Sequence, residues 1–179
     1  MVELEPQITM GIMTLDELNT CNSKQARNEF LRCCSSTEWA KEMVARRPFK
    51  DVNELLMSAE EIWKRLSVDN WKEAFSHHPK IGDIKSLRKK FGSTQAWAAN
   101  EQSGVNRTSE KTLKALAEGN RLYEAKFGYI FIVCATGKSA VEMLSLLNER
   151  LNNYPSDEIK IAAGEQAKIT NIRLTKLLT

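Results

Sequence analysis

Apolar residues along this chain recur mostly at helical spacing. Ser, Thr or Asp often stands just ahead of each periodic run with an acidic residue three places later, the pattern that caps a helix N-terminus. Thr14 with Glu17 opens a short helix. Ser23 precedes QARNEFLRCC, and Ser36 precedes TEWAKEMVARR, which stops before Pro48 because a proline pushes the residue ahead of it out of α geometry. Asp51 with Glu54, then Ser58 with Glu61, suits DVNELLMSAEEIWKRL. Trp71, Ala74 and Phe75 make an i, i+3, i+4 patch, so WKEAF is expected as a short helix ending at two histidines, with Pro79 and Gly82 enforcing the stop.

A polar, Lys-rich loop is expected from Asp83 to Gly92, then a helix in STQAWAANEQSG closed by Gly104. Ser109 to Phe127 reads as a long helix with Leu113, Leu116, Tyr123 and Phe127 on one side, ended by Gly128. Ser139 opens a helix to about Asn153, Pro155 breaks it, and Ser156 with Asp157 and Glu158 starts a last helix to Leu178. YIFIVCA departs from this pattern: it is β-branched and aromatic, as a strand would be. No second segment pairs with it, so it is expected to be a buried extended stretch or an atypical helix. No linker, repeat or low-complexity tract divides the chain. The expected architecture is all-α, a single-domain helical bundle of about eight or more helices over residues 1–179, with the first ten or so residues flexible.

Composition narrows the function classes. With 179 residues, the chain can bury roughly 70% of its unfolded surface in one core. Lys and Arg number 26 against 23 Asp and Glu with the signs interspersed, so no basic stripe calls for nucleic acid. The longest apolar run, Tyr129 to Ala135, is far too short to span a bilayer, and MVELEP lacks the features of a signal peptide. LTKLLT matches no retention or peroxisomal address. The expectation is a cytoplasmic protein with neither a membrane nor a nucleic-acid partner. None of the four cysteines, Cys21, Cys33, Cys34 and Cys134, has C-x-x-C spacing, which fits buried, reduced thiols.

Candidate chemistry concentrates in FSHHPKIGD, where the chain's two histidines, His77 and His78, lie side by side. Pro79 lacks an N–H and biases His78 out of the α region, which presents that imidazole on a stiff, non-helical backbone. Glu101 lies in the otherwise uncharged, Ala-rich AWAANEQSG, where an acid needs a partner or faces solvent. Arg173 lies among Ile169, Ile172, Leu174 and Leu177, and its guanidinium either reaches a pocket or snorkels to water. Other readings are weaker. YIFIVCATGKS imitates the end of a P-loop, but Ile132 stands where the motif requires Gly, and Ser139 is better explained as an N-cap. The cysteines suit core packing better than nucleophilic catalysis. Adjacent histidines point in different directions, so no metal site is expected.

Taken in order, HPKIG, W-x-x-x-EQ, FG-Y-x-FIVCATGKS, RL-x-N at Arg150 to Asn153 and the terminal EQ-x-KI-x-x-x-RL-x-x-L resemble the 2-oxo-4-hydroxy-4-carboxy-5-ureidoimidazoline (OHCU) decarboxylase family over about Thr14 to Leu178. The family makes (S)-allantoin in urate breakdown. The resemblance implies an all-α fold, commonly a homodimer, acting on a small molecule with no metal or organic cofactor. It implies His78 as the catalytic histidine with Glu101 beside it in proton transfer. Pro79, Gln102, Arg173 and the main chain of Ile132 and Val133 are implied at the substrate. His77 matches no catalytic position. Ala98 stands where many members have Ser, and it is the one sequence feature favouring a different reading, a helical binding or interaction module that has lost the reaction.

Overall fold

A computed structural model describes residues 13–78 and 103–178, with side chains from residue 110 onward in the second stretch. The described residues form eight helices and no strand, so the chain is all-α. The helices are α1 (Leu15–Thr20), α2 (Ser23–Cys33), α3 (Thr37–Arg46), α4 (Val52–Arg65), α5 (Val68–Ser76), α6 (Ser103–Phe127), α7 (Ala140–Arg150) and α8 (Pro155–Leu177). The expected flexible start, the loop of residues 83–92, the helix of residues 93–102, Pro79 and Gly82 lie outside the described residues. The chain divides into two compact units, one running up to Glu73 and resuming at Ala167, the other covering Ala74–Gln166.

In the first unit the capping signals mostly fall where the sequence puts them. Thr14 Oγ1 accepts from the Glu17 N–H at 3.1 Å, and Glu17 accepts from the Thr14 N–H at 2.7 Å, which completes a capping box. The start of α2 differs by one residue: Asn22 is the cap, accepting from the Gln25 N–H at 2.9 Å, and Ser23 is already helical. Asp51 caps α4 at 2.8 Å, and α4 runs on through Ser58, which is buried on the same face as Leu55, Ala59 and Ile62. The core is aromatic at its centre. Phe30 meets Trp39 and Phe49 edge-to-face at 5.9 and 6.4 Å, and the Trp39 indole N–H donates to the Ala59 carbonyl at 3.0 Å. Burying a Phe of this kind contributes roughly 1.5–3 kcal/mol.

In the second unit the start of α6 corrects one expectation. Gly104 does not close a helix; it lies in the first turn of α6, which begins at Ser103 and runs to Phe127. Pro155 is corrected too, because it opens α8 as its first residue, where a missing N–H costs nothing. The segment Tyr129–Cys134 between α6 and α7 is buried except for half-buried Ile130, and it forms neither helix nor strand. Gly128 and Gly137 bound it, both with φ at +76°, a conformation that only glycine adopts freely. At Gly137 the Lys138 N–H returns to the Ala135 carbonyl at 3.1 Å, so the chain turns sharply before Ser139 caps α7.

This strap has no ladder partner among the described residues, and side chains satisfy its backbone instead. The Ile132 carbonyl accepts from Arg150 Nη1 at 2.8 Å. The Cys134 N–H donates to Glu165 at 2.7 Å, and its carbonyl accepts from Lys138 Nζ at 2.7 Å. A buried backbone must account for its polar groups, and here Arg, Glu and Lys do the work of a neighbouring strand. The strap's own side chains complete the core: Tyr123 packs on Phe127 (4.5 Å), Phe131 (5.2 Å) and Tyr129 (5.8 Å), and Phe75 packs on Tyr129 (5.3 Å).

Candidate active site

His78 owes its position to the way α5 ends. Ala74 and Phe75 are buried while Lys72 and Ser76 face solvent, so the helix has a fixed inner side. Its last carbonyls, those of Ala74 and Phe75, accept from the backbone N–H groups of His77 (3.4 Å) and His78 (3.2 Å). These i→i+3 bonds tighten the final turn. The two imidazoles separate there: His77 is exposed and His78 is half-buried. His78 Nε2 lies 2.5 Å from the amide oxygen of Gln166, a residue of α8 that is only 1% exposed.

Gln166 belongs to the EQ-x-KI motif but carries no role in the sequence reading. A signal for it exists in the spacing. Glu158, Ala162, Gln166, Thr170 and Leu174 recur every four residues along α8, and all five are buried. A polar residue on a buried row needs a partner, so Glu158, Gln166 and Thr170 are marked by position even though composition is silent about them. Its neighbour Glu165 is half-buried and holds the Cys134 N–H of the strap.

The other expected site residues fall in three places. Ile132 and Val133 are buried in the strap, and the Ile132 carbonyl is taken up by Arg150. Arg173 lies in the first unit, half-buried, with Nη1 donating to the Cys33 carbonyl at 3.3 Å. Cys33 is the last residue of α2, so the guanidinium satisfies one of that helix's orphan carbonyls at the negative end of its dipole. Pro79, Glu101 and Gln102, with Ala98, lie outside the described residues.

The thiols near Arg173 fit the core reading. Burial pushes Cys33 up to about 12 and Cys34 up to about 11, against which the Arg173 charge is a lesser, opposing influence. Both stay protonated at neutral pH and are poor nucleophiles. Among the described residues no group of three or more His, Cys, Asp or Glu is placed to hold a metal ion, and no helix is long and apolar enough to cross a membrane.

Fold and site together define an all-α protein that carries a half-buried histidine at a helix end, oriented by a buried amide. The chain belongs to the OHCU decarboxylase family, whose model matches residues 19–175. It is 40% identical over 153 residues to the uric acid degradation bifunctional protein TTL of Arabidopsis thaliana, covering 85% of this chain and 47% of that protein. The chain thus spans about half the length of that relative. It is 27% identical to the 2-oxo-4-hydroxy-4-carboxy-5-ureidoimidazoline decarboxylase of Xenopus laevis, covering 90% of this chain and 94% of that one. Its fold is similar to a crystal structure of an OHCU decarboxylase in the presence of (S)-allantoin, with a TM-score of 0.67, 40% identity, and coverage of 84% of this chain and 96% of that chain.

Proposed function

We propose that this chain decarboxylates OHCU to (S)-allantoin, with His78 managing proton transfer. The observation that carries the reading is the half-buried His78 ring at the end of α5, held at Nε2 by a buried amide, in a chain of this family. The substrate's carboxylate leaves a carbon adjacent to a C=N group. As the C–C bond breaks, its electron pair moves toward that C=N, whose nitrogen takes a proton, and carbon dioxide departs. The enol-like product then loses its hydroxyl proton and gains one at the ureido-bearing carbon on a single face. An internal electron sink of this kind lets the reaction run without an organic cofactor.

In this reading His78 moves one of the enol's protons as a general acid or base, and Glu101 supports the imidazolium form. Gln102 and the main chain around Ile132 and Val133 meet the ring's amide edges, and Arg173 takes a carbonyl or the ureido group. Pro79 stiffens the backbone beside His78. The expected homodimer belongs to the same reading.

The test mixes purified protein with freshly generated OHCU and follows the optical activity of the allantoin formed, since spontaneous decay also yields allantoin. The wild type is expected to give the S enantiomer. His78→Ala is expected to lose about 10² to 10⁴-fold in rate while remaining folded, whereas His77→Ala keeps most activity. Equal activity in the two variants would sink the role of His78, and racemic product at the uncatalysed rate from the wild type would sink the activity itself.

A further inference from the structure

We infer that Gln166 is a positioning residue for His78: its amide oxygen fixes Nε2 as the permanently protonated ring nitrogen and leaves Nδ1 as the atom at which protons come and go. The inference rests on the proposed role of His78 and adds which ring atom acts. The geometry is direct. The amide oxygen lies 2.5 Å from Nε2, and an amide oxygen only accepts, so the hydrogen of that bond belongs to the imidazole.

The choice of an amide has a chemical consequence. A neutral imidazole protonated at Nε2 and an imidazolium both donate from that nitrogen. The contact therefore survives the whole cycle in which the ring gains and loses its other proton. A carboxylate here would instead favour the charged form, and a group that both donates and accepts, such as a hydroxyl, would tolerate either tautomer.

The surroundings hold the amide in place. Gln166 is 1% exposed, with Ala162, Ala163 and Thr170 buried around it on α8. One residue earlier, Glu165 anchors the same turn of α8 to the strap through the Cys134 N–H at 2.7 Å. Nothing in this arrangement requires Gln166 to touch substrate.

The experiment is ¹⁵N NMR of the imidazole in the full chain, with His77→Asn leaving His78 as the sole histidine. The expected result is a slowly exchanging proton on Nε2 at every pH where the protein is folded, with protonation changes confined to Nδ1. Gln166→Ala is expected to lose that protected proton, and Gln166→Glu, which keeps an accepting oxygen, to restore it. In steady-state assays Gln166→Ala is expected to lower kcat by about 10- to 100-fold, the scale for a group that orients another, with KM little changed. A proton on Nδ1 rather than Nε2 in the neutral wild-type ring would overturn the inference, as would the same protected Nε2 proton in Gln166→Ala. The wild-type and Gln166→Glu spectra decide the matter even if Gln166→Ala fails to fold. The spectra also stand apart from activity, so an inactive wild type that keeps the Nε2 proton counts against the proposed reaction and not against the role of Gln166.

Discussion

Two polar arrangements hang from the same buried row of α8, eight residues apart, and they are built in opposite ways. At Glu158 a buried charge pairs with a buried charge, and both carboxylate oxygens are engaged. One carboxylate oxygen accepts from Arg150 (Nε at 2.7 Å, Nη2 at 2.5 Å) and from the Tyr123 hydroxyl, while the other accepts from Asn153 at 2.7 Å. Arg150 spends Nη1 on the Ile132 carbonyl and lies over the Phe131 ring at 4.6 Å. Glu158 is 0% exposed. At Gln166 the buried partner is a neutral amide, and the group it holds, His78, is half-buried at a helix end. The contrast sets a filled ion pair, which a buried charge needs if it is to be tolerated, against a neutral amide that holds one nitrogen of the histidine proposed for proton transfer.

The largest expected effect tests this directly. Glu158→Ala strands the Arg150 guanidinium in the core and should cost about 3–5 kcal/mol in urea unfolding. Gln166→Ala removes a neutral amide and strands no charge, so it should cost less than Glu158→Ala, although it strikes harder at turnover. Similar losses of stability from the two variants would break the comparison.

An intermediate effect comes from alkaline pH. Burial first, and then the bond to Glu158, holds the Tyr123 phenol well above its usual 10, and burial pushes Tyr129 up to about 12. Both folded values exceed the unfolded one, so the native state keeps protons that the unfolded chain releases. The stabilisation is complete below pH 10 and is lost as pH rises through 12 and beyond. Unfolding free energy measured across pH 10–12 should therefore fall steeply in the wild type and less steeply in Tyr123→Phe. Gln166→Ala should leave the slope as it is, since it changes no ionisable group. A slope indifferent to Tyr123→Phe would remove the phenol from the network's electrostatics.

The smallest effect is expected at Ser36, a buried hydroxyl that begins α3 but makes no hydrogen bond among the described residues. Ser36→Ala should change stability by no more than about 0.5 kcal/mol, because the folded state loses no bond. A loss above about 1 kcal/mol in thermal unfolding would mean that a lone buried hydroxyl behaves like a networked one.

Local rules carried much of this protein's legibility. The capping box at Thr14, the caps at Asp51 and Ser139, the stop before Pro48 and the end of α5 at the histidines each depend on residues within one turn, and each is found. The same rules misplaced Gly104 and Pro155, since a glycine is tolerated in a first turn and a proline is as good an opener as a breaker. The sequence expected the two histidines to differ, and the structure places His77 exposed and His78 half-buried.

By itself, then, the sequence determined the helical class, most helix ends and the family, which follow from periodicity, caps and ordered motifs, and it singled out His78 as a candidate. Only the tertiary structure decided that YIFIVCA is neither helix nor strand, because its fate depends on Arg150, Glu165 and Lys138 supplying bonds to its backbone that no strand among the described residues supplies. Only the tertiary structure, likewise, put Gln166 on His78 across 88 residues of chain. No local pattern encodes such a contact, because a side chain's partner is chosen by which helix faces pack together.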